Sequence, residues 1–339
     1  MPCIGASRTV PGMSVDAWPD GIEVRGIGKA DAGAWADLLQ AAEAVDDTGE
    51  HYDAEDLAEE LDDPELNAET DTVALWAGDR MVGYASVRSN PNRTEKDVVR
   101  AEGTVRPDRR RRGLGTRLLD WTVARAGALH AERLPDLPCE LHCGVADGNE
   151  GQRALLEQAG FEPVRYFFEM RVRLDGRPDA ADVVPEGLRM IPFETAYDDA
   201  TRDAHNEAFL DHWGSSLRDA EQWATWFTGT RAFRASYSRL LLDGDRVVAY
   251  VLGYEYPADT AATGIRDLYF GQVGTRRAYR GRGAANALLT SALTAAAADG
   301  FETASLGVDA ANPTGALGLY ERLGFTVNRR QASYSLPLG

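Results

Sequence analysis

Apolar residues recur along the chain with two periods, and the alternation between them repeats. The segment "TVALWAGDRMVGYASV" (72–87) alternates apolar and polar positions on either side of a Gly-Asp turn, and so does "RLLLDGDRVVAYVLG" (239–253). Successive side chains of a strand face opposite sides, so alternation around a tight turn predicts a β-hairpin. Residues 32–45 and 201–209 instead place apolar residues three and four apart, which predicts helices with one buried face. Later in the second half the pattern predicts a strand over 266–275 ("RDLYFGQVGT"), a helix over 284–299 and a strand over 303–310 ("TASLGVDA"). A helix bearing "ALGLYERLGF" and a last strand "ASYSLPL" follow. Strand, glycine turn, helix, strand is an α/β unit built around a mixed sheet.

The pattern occurs twice. "GIEVRGIGKADAGAWADLL" from Gly21 resembles "GLRMIPFETAYDDATRDAH" from Gly187, and the two hairpins lie at the same offset of 166 (187 against 21, 243 against 77). "RRRGLG" (110–115) returns as "RGRGAA" (280–285), and "LLEQAGF" (155–161) as "LYERLGF" (319–325). Four ordered matches indicate a duplicated domain. The expected division is a loose tail over 1–20, a first domain over 21–175, a linker over 176–186 rich in Pro, Gly and Asp, and a second domain over 187–339.

Composition narrows the partners. With 54 acidic against 36 basic residues the net charge is −18, and thirteen carboxylates fall between Asp46 and Asp71 with no Lys or Arg among them. Such a field repels a polyanion, so nucleic acid is not an expected partner, whereas a cationic one is easily accommodated. The run itself reads as a solvated acidic helix and loop. No stretch of about 18 apolar residues is present, so no membrane span is expected. The N-terminus lacks a secretory pattern, and a cytoplasmic location is expected. Cys3, Cys139 and Cys143 form no disulfide framework. Cys139 and Cys143 flank His142, but no second ligand pair follows at finger spacing, and no metal is expected. Lys29 and Lys96 are the only lysines, an arginine- and alanine-rich usage typical of GC-rich bacterial genes.

The stretch "YRGRGAANALL" (279–289) strips side chains from a helix entrance and keeps charge beside it. The first amides of a helix are unpaired and carry partial positive charge, so they can receive a phosphate where side chains do not block approach. Gly281, Gly283, Ala284 and Ala285 leave that approach open, and Arg280 and Arg282 offer charge to further phosphates. The stretch is neither a Rossmann fingerprint nor a Walker loop. Arg280 to Ala285 does fit Q/R-x-x-G-x-G/A, and Asn312 and "LYERLGF" follow about 30 residues later. Together these resemble the GNAT family of N-acetyltransferases, and the resemblance spans both halves.

The resemblance implies two tandem domains, each a mixed, splayed, mostly antiparallel sheet flanked by helices. It implies acetyl-CoA as cofactor, with its pyrophosphate on the glycine loop and its pantetheine arm along the backbone of Val273, Gly274 and Thr275. It also implies direct transfer of the acetyl group to a primary amine. Such transfer needs the amine neutralised, the oxyanion steadied and the departing thiolate protonated. By resemblance Tyr320 is the acid, while the first half has Leu156 at that position, so the second domain is expected to catalyse and the first is not. Asp267, or Glu255 in its place, is the candidate base. Glu207, Asp211, His212 and Trp213, in the 205–227 segment, are candidate substrate contacts. Phe209, Trp223 and Trp226 read as core.

The expected acceptor is a small, cationic metabolite or antibiotic-like amine, acted on by a monomer or homodimer. The tandem layout is also similar to that of the mycothiol synthases, which acetylate a cysteinyl amino-sugar, and this stands as the alternative. A third reading is an acyl-CoA sensing module without turnover.

Overall fold

The computed structural model describes residues 18–176, 183–210, 213, 216–312 and 315–339. The first half runs β1 (Glu23–Arg25), α1 (Ala32–Asp46), α2 (Ala54–Glu60), β2 (Thr72–Ala77), β3 (Arg80–Arg88), β4 (Asp97–Val105), α3 (Leu114–Arg133), β5 (Cys139–Ala146), α4 (Glu150–Gln158) and β6 (Glu162–Arg173). The second half runs β7 (Arg189–Pro192), α5 (Asp198–Ala208), α6 (Ala220–Trp223), β8 (Arg239–Asp243), β9 (Arg246–Tyr254), α7 (Pro257–Thr263), β10 (Asp267–Thr275), α8 (Ala284–Ala298), β11 (Thr303–Asp309), α9 (Ala316–Arg322) and β12 (Thr326–Leu338). Both hairpins and the expected helices fall where the hydrophobic periods placed them.

The chain divides into two compact units, and the division is not the one expected at 175 and 187. Unit 1 comprises the chain up to Val164 together with Ala332–Gly339, and unit 2 comprises Arg165–Gln331. Each sheet is therefore completed by a strand from the other half of the sequence. Unit 1 has the order β1-β2-β3-β4-β5-β12, and unit 2 the order β6-β11-β10-β9-β8-β7. Met170 and Val172 of β6 are buried in the core of unit 2, and Tyr334 of β12 in that of unit 1. A strand pattern specifies which residues face inward but not which sheet supplies the partner, so the exchange is invisible to periodicity.

In unit 2 the sheet is antiparallel except for the central pair β10 with β11, and in unit 1 β1 to β4 are antiparallel neighbours while β4 runs parallel to β5. Helix α8 covers one face of unit 2, where Leu288, Leu289 and Leu293 pack on Phe270 and Leu306. Burying each such leucine is worth about 1.5–3 kcal/mol. The opposite face is closed by α5 and the 220–228 segment, whose Trp223 and Phe227 pack on Tyr250 and Tyr254. Phe209 and Trp226 lie against the same cluster, in agreement with a core role. Unit 1 repeats these layers with α3 on one face and α1 and α2 on the other.

The acidic run is not wholly solvated. Asp63, Glu65 and Asp71 are buried. Arg88 pairs with Glu60 and Asp63, and Arg125 and Arg133 reach Asp71 at 2.8 and 3.7 Å. Arginines distant in sequence neutralise part of the run, which local composition could not reveal.

Candidate functional site

The parallel pair of unit 2 opens partway along its length. β10 and β11 are in register from Asp267↔Thr303 to Phe270↔Leu306, and no pairing between them follows. Beyond that point Gly271–Thr275 keeps only β9 as a strand neighbour, while Gly307–Asp309 pairs with β6. The backbone of β10 therefore presents an unpaired edge along Val273, Gly274 and Thr275. Two glycines make the divergence possible. Gly271 is the extra residue of a bulge between Phe270 and Gln272, and a Cβ there would lie 2.6 Å from the Tyr254 ring. A Cβ on Gly274 would lie 2.3 Å from the Tyr250 ring. The bulge bends the strand and redirects its edge.

At the end of β10 the chain turns into α8 through Gly281 (φ +74°) and Gly283 (φ +83°), both left-handed, with Gly283 as the helix N-cap. The first amide bonded across this turn is that of Ala287, which donates to the Gly283 carbonyl at 3.0 Å. Among the described residues the amides of 281–286 donate to no backbone carbonyl, and such amides can serve as donors to an anion. Arg280, expected to offer charge to phosphate, has protein partners on two of its nitrogens. Its Nε donates to the Thr275 carbonyl at 3.2 Å and a terminal nitrogen donates to the Ala208 carbonyl at 2.8 Å, so it braces the turn against β10 and α5. Arg282 is exposed, with its Cζ 5.2 Å from the centre of the Tyr279 ring.

Tyr320 lies on α9, buried, edge-on to Phe325 at 6.0 Å between centroids. Burial, helped by the neighbouring Tyr269, pushes its phenol up to about 12. The group therefore keeps its proton at neutral pH, as a proton donor must. No hydrogen bond from its hydroxyl to a described residue is present.

Unit 1 repeats the frame with three changes. β4 and β5 pair from Asp97↔Cys139 to Ala101↔Cys143 and then part, but β3 and β4 pair without a bulge. The turn carries Gly113 (φ +80°), yet Arg111 (φ +61°) occupies the left-handed position that Gly281 fills in unit 2. Leu156 replaces Tyr320 and is buried in the core.

The description "Acetyltransferase (GNAT) family" matches residues 35–161 and again residues 198–325. The chain belongs to this family. It is 28% identical over 334 residues to a mycothiol acetyltransferase of a Parafrankia species, covering 93% of this chain and 97% of that one. A mycothiol acetyltransferase of Streptomyces scabiei is 30% identical over 268 residues, covering 77% and 78% of the two chains. Among solved structures, a GCN5-related N-acetyltransferase from Sphaerobacter thermophilus superposes with a TM-score of 0.72 at 28% identity, covering 94% of this chain and 96% of that one. The protein is thus a tandem GNAT acyltransferase, and the family uses acetyl-CoA. No described helix is long and apolar enough to cross a membrane.

The GNAT frame can be compared with the remaining candidates. Asp267 stands at the closed end of the parallel pair, where its two oxygens accept from the hydroxyls of Thr303 and Ser305, with Arg171 at 3.8 Å. Glu255 is held by Arg266 at 2.6 Å and Arg234 at 3.0 Å. Burial works to raise its carboxyl, but Arg266 and Arg234 outweigh it and hold the group below the usual carboxylate range. A low-pKa carboxylate between two arginines is a clamp and a weak base. Glu207 is bound by Arg276 and by Arg246 at 3.3 Å, so it closes an ion-pair network at the end of α5. Trp213 packs near Phe167, 6.0 Å between centroids, and under Arg165 at 5.6 Å. Arg165 in turn forks onto Asp309 at 2.7–3.0 Å. The Asn312 amide donates to the Asp309 carbonyl at 3.0 Å in the turn after β11. Asp211 and His212 lie outside the described residues.

Sequence reasoning missed Tyr269 and the Gly271 bulge. The Tyr269 hydroxyl lies 3.3 Å from where a Cβ on Gly307 would stand, which puts the ring across the start of the divergence. A lone glycine inside the alternating run "RDLYFGQVGT" was the available signal for the bulge.

Proposed function

We propose that unit 2 transfers an acetyl group from acetyl-CoA to the primary amine of a small molecule, and that unit 1 does not catalyse. The observation that carries this reading is the coincidence in unit 2 of the diverging parallel pair with Tyr320, set against Leu156 in unit 1. The amides of 281–286 would receive the diphosphate, and the edge at Val273–Thr275 would align the pantetheine. Acetyl-CoA, when bound, supplies an activated acyl thioester. Tyr320 holds a proton at its phenol oxygen for the departing sulfur, and its burial keeps that proton in place until it is needed.

Glu255 and Asp267 are both committed to other partners, so the amine proton leaves through water in this reading. The relatives favour a cysteinyl amino-sugar acceptor over the cationic antibiotic-like amine, because the resemblance to mycothiol acetyltransferases runs the length of the chain. The test is thiol release from acetyl-CoA with a panel of amines: a cysteinyl amino-sugar, its parent amino-sugar, polyamines and an aminoglycoside. Turnover with the cysteinyl compound at kcat/KM at least tenfold above the rest is expected. Preference for a polyamine or aminoglycoside would overturn the substrate assignment, and tight coenzyme binding without release in any arm would replace catalysis by sensing.

A further inference from the structure

Cys139 and Cys143 show no metal-binding spacing, and the fold explains why they do not act together with His142. Cys139 and Cys143 point into the core beneath α3, whereas His142 alternates to the other face and meets Glu140 at 3.0 Å. The tertiary structure instead gathers a different set around Cys139. Asp97, His130 and Cys139 each bring one ligand atom within 4.8 Å of the others. Asp97 and Cys139 are register partners at the closed end of the β4–β5 pair, and His130 comes from the last turn of α3 above them. Asp97 and Cys139 are buried.

We infer that this corner of unit 1 binds one divalent cation of the zinc class through the Asp97 carboxylate, the His130 imidazole and the Cys139 thiolate. One carboxylate, one imidazole and one thiolate are a donor set for a borderline metal and a poor one for calcium or magnesium, which take oxygen ligands. Tetrahedral zinc holds such ligands roughly 3.3–3.6 Å apart, so with all ligand atoms within 4.8 Å of one another the widest pair needs to contract by at most about 1.2–1.5 Å. Asp97 and His130 are already at 3.0 Å. The supporting shell is present as well. The Ser89 hydroxyl donates to the other Asp97 oxygen at 2.7 Å, and Arg133 donates to the Ser89 carbonyl at 2.8 Å. Such bonds fix the orientation of a ligating carboxylate. His130 is partly exposed, which gives the ion a way in from the end of α3.

Unit 2 supplies an internal contrast. At the matching corner Arg266 binds Glu255 at 2.6 Å and stacks on Phe301 at 3.9 Å, so an ion pair and a cation–π contact do there what a metal would do in unit 1. Bound metal would cross-link β4, β5 and α3, and would stabilise the fold without touching the acetyl-transfer site.

The experiment is titration of the full metal-free chain with cobalt(II), followed by zinc. One cobalt per chain with a sulfur-to-cobalt charge-transfer band in the near ultraviolet is expected, displaced by zinc. The band should vanish in Cys139→Ser, weaken at least tenfold in affinity in His130→Gln, and persist in Cys143→Ser. Zinc at a hundredfold excess over Kd should raise the melting midpoint by roughly 5–10 °C in the wild type. A wild-type titration without the band overturns the assignment whatever the variants do. A band that survives in a folded Cys139→Ser, verified by circular dichroism, does the same.

Discussion

Units 1 and 2 share a glycine turn, a diverging parallel pair and the helices around them, yet one inserted residue, an arginine for a glycine in the turn and one buried side chain separate them. Matching the β3–β4 and β9–β10 ladders places Val105 opposite Thr275, an offset of 170, but Ala101 opposite Phe270, an offset of 169. The extra residue is Gly271. It bends β10 where that strand leaves β11, while β4 runs on against β3 without a bulge. At the next helix both matching side chains are buried in their cores, but unit 2 has the phenol of Tyr320 where unit 1 has the aliphatic Leu156. Duplication thus kept the parting parallel pair in both units, and a phenol at the α4/α9 position in unit 2 alone. Binding a diphosphate needs only main-chain amides, which survive sequence drift, whereas acid catalysis needs one particular side chain.

The largest expected effect separates the units by chemistry. Tyr320→Phe should lower kcat by about 10²–10³ with KM for acetyl-CoA within twofold, the loss expected for a general acid. Leu156→Met, a volume-conserving change in the other unit, should leave kcat unchanged. Equal losses in both would break the assignment. Because Tyr320 titrates near 12, the kcat profile should show no falling limb from it below about pH 10. A limb near 8 that disappears in Tyr320→Phe would refute the shift. The same shift has a stability consequence. Below about pH 10 both folded and unfolded chains hold the proton; between 10 and 12 only the folded chain does, so stability falls as pH climbs through that window.

A second contrast uses the turns. Gly283→Ala and Gly113→Ala each force a side chain into the left-handed region, at about 1–2 kcal/mol of stability. Only Gly283→Ala should raise KM for acetyl-CoA, by about tenfold. A comparable rise in Gly113→Ala, measured by the same steady-state titration, would move productive coenzyme binding to unit 1.

The smallest expected effect on turnover comes from Glu255→Gln. Losing the carboxylate between Arg234 and Arg266 should lower the melting midpoint by a few degrees and change kcat less than twofold. A hundredfold fall in kcat, rescued by raised pH, would restore Glu255 as the base.

Much of this was legible in the chain. The hairpins were readable because alternation survives on strands with a buried face, and the turn at 280–285 because Gly281 and Gly283 favour the left-handed backbone found there. The second-unit asymmetry was readable from a single residue type at position 320. The partners of Asp267 and Glu255 were not legible, because a carboxylate at a strand end looks the same in sequence whether hydroxyls, as at Asp267, or two arginines, as at Glu255, come to meet it. The bracing contacts of Arg280 were not legible for a similar reason: its charge suggested phosphate, while the carbonyls of Thr275 and Ala208 that it meets carry no signal in the sequence.

The sequence by itself determined the duplication, the layer order within each half, the glycine turn before α8 and the difference between Tyr320 and Leu156, since each depends on local periodicity or residue chemistry. Only the tertiary structure decided which strand completes which sheet, where β10 bends, and that Asp97, His130 and Cys139 meet. Those outcomes depend on partners distant in sequence, and a side-chain pattern names the face that must be buried without naming what buries it.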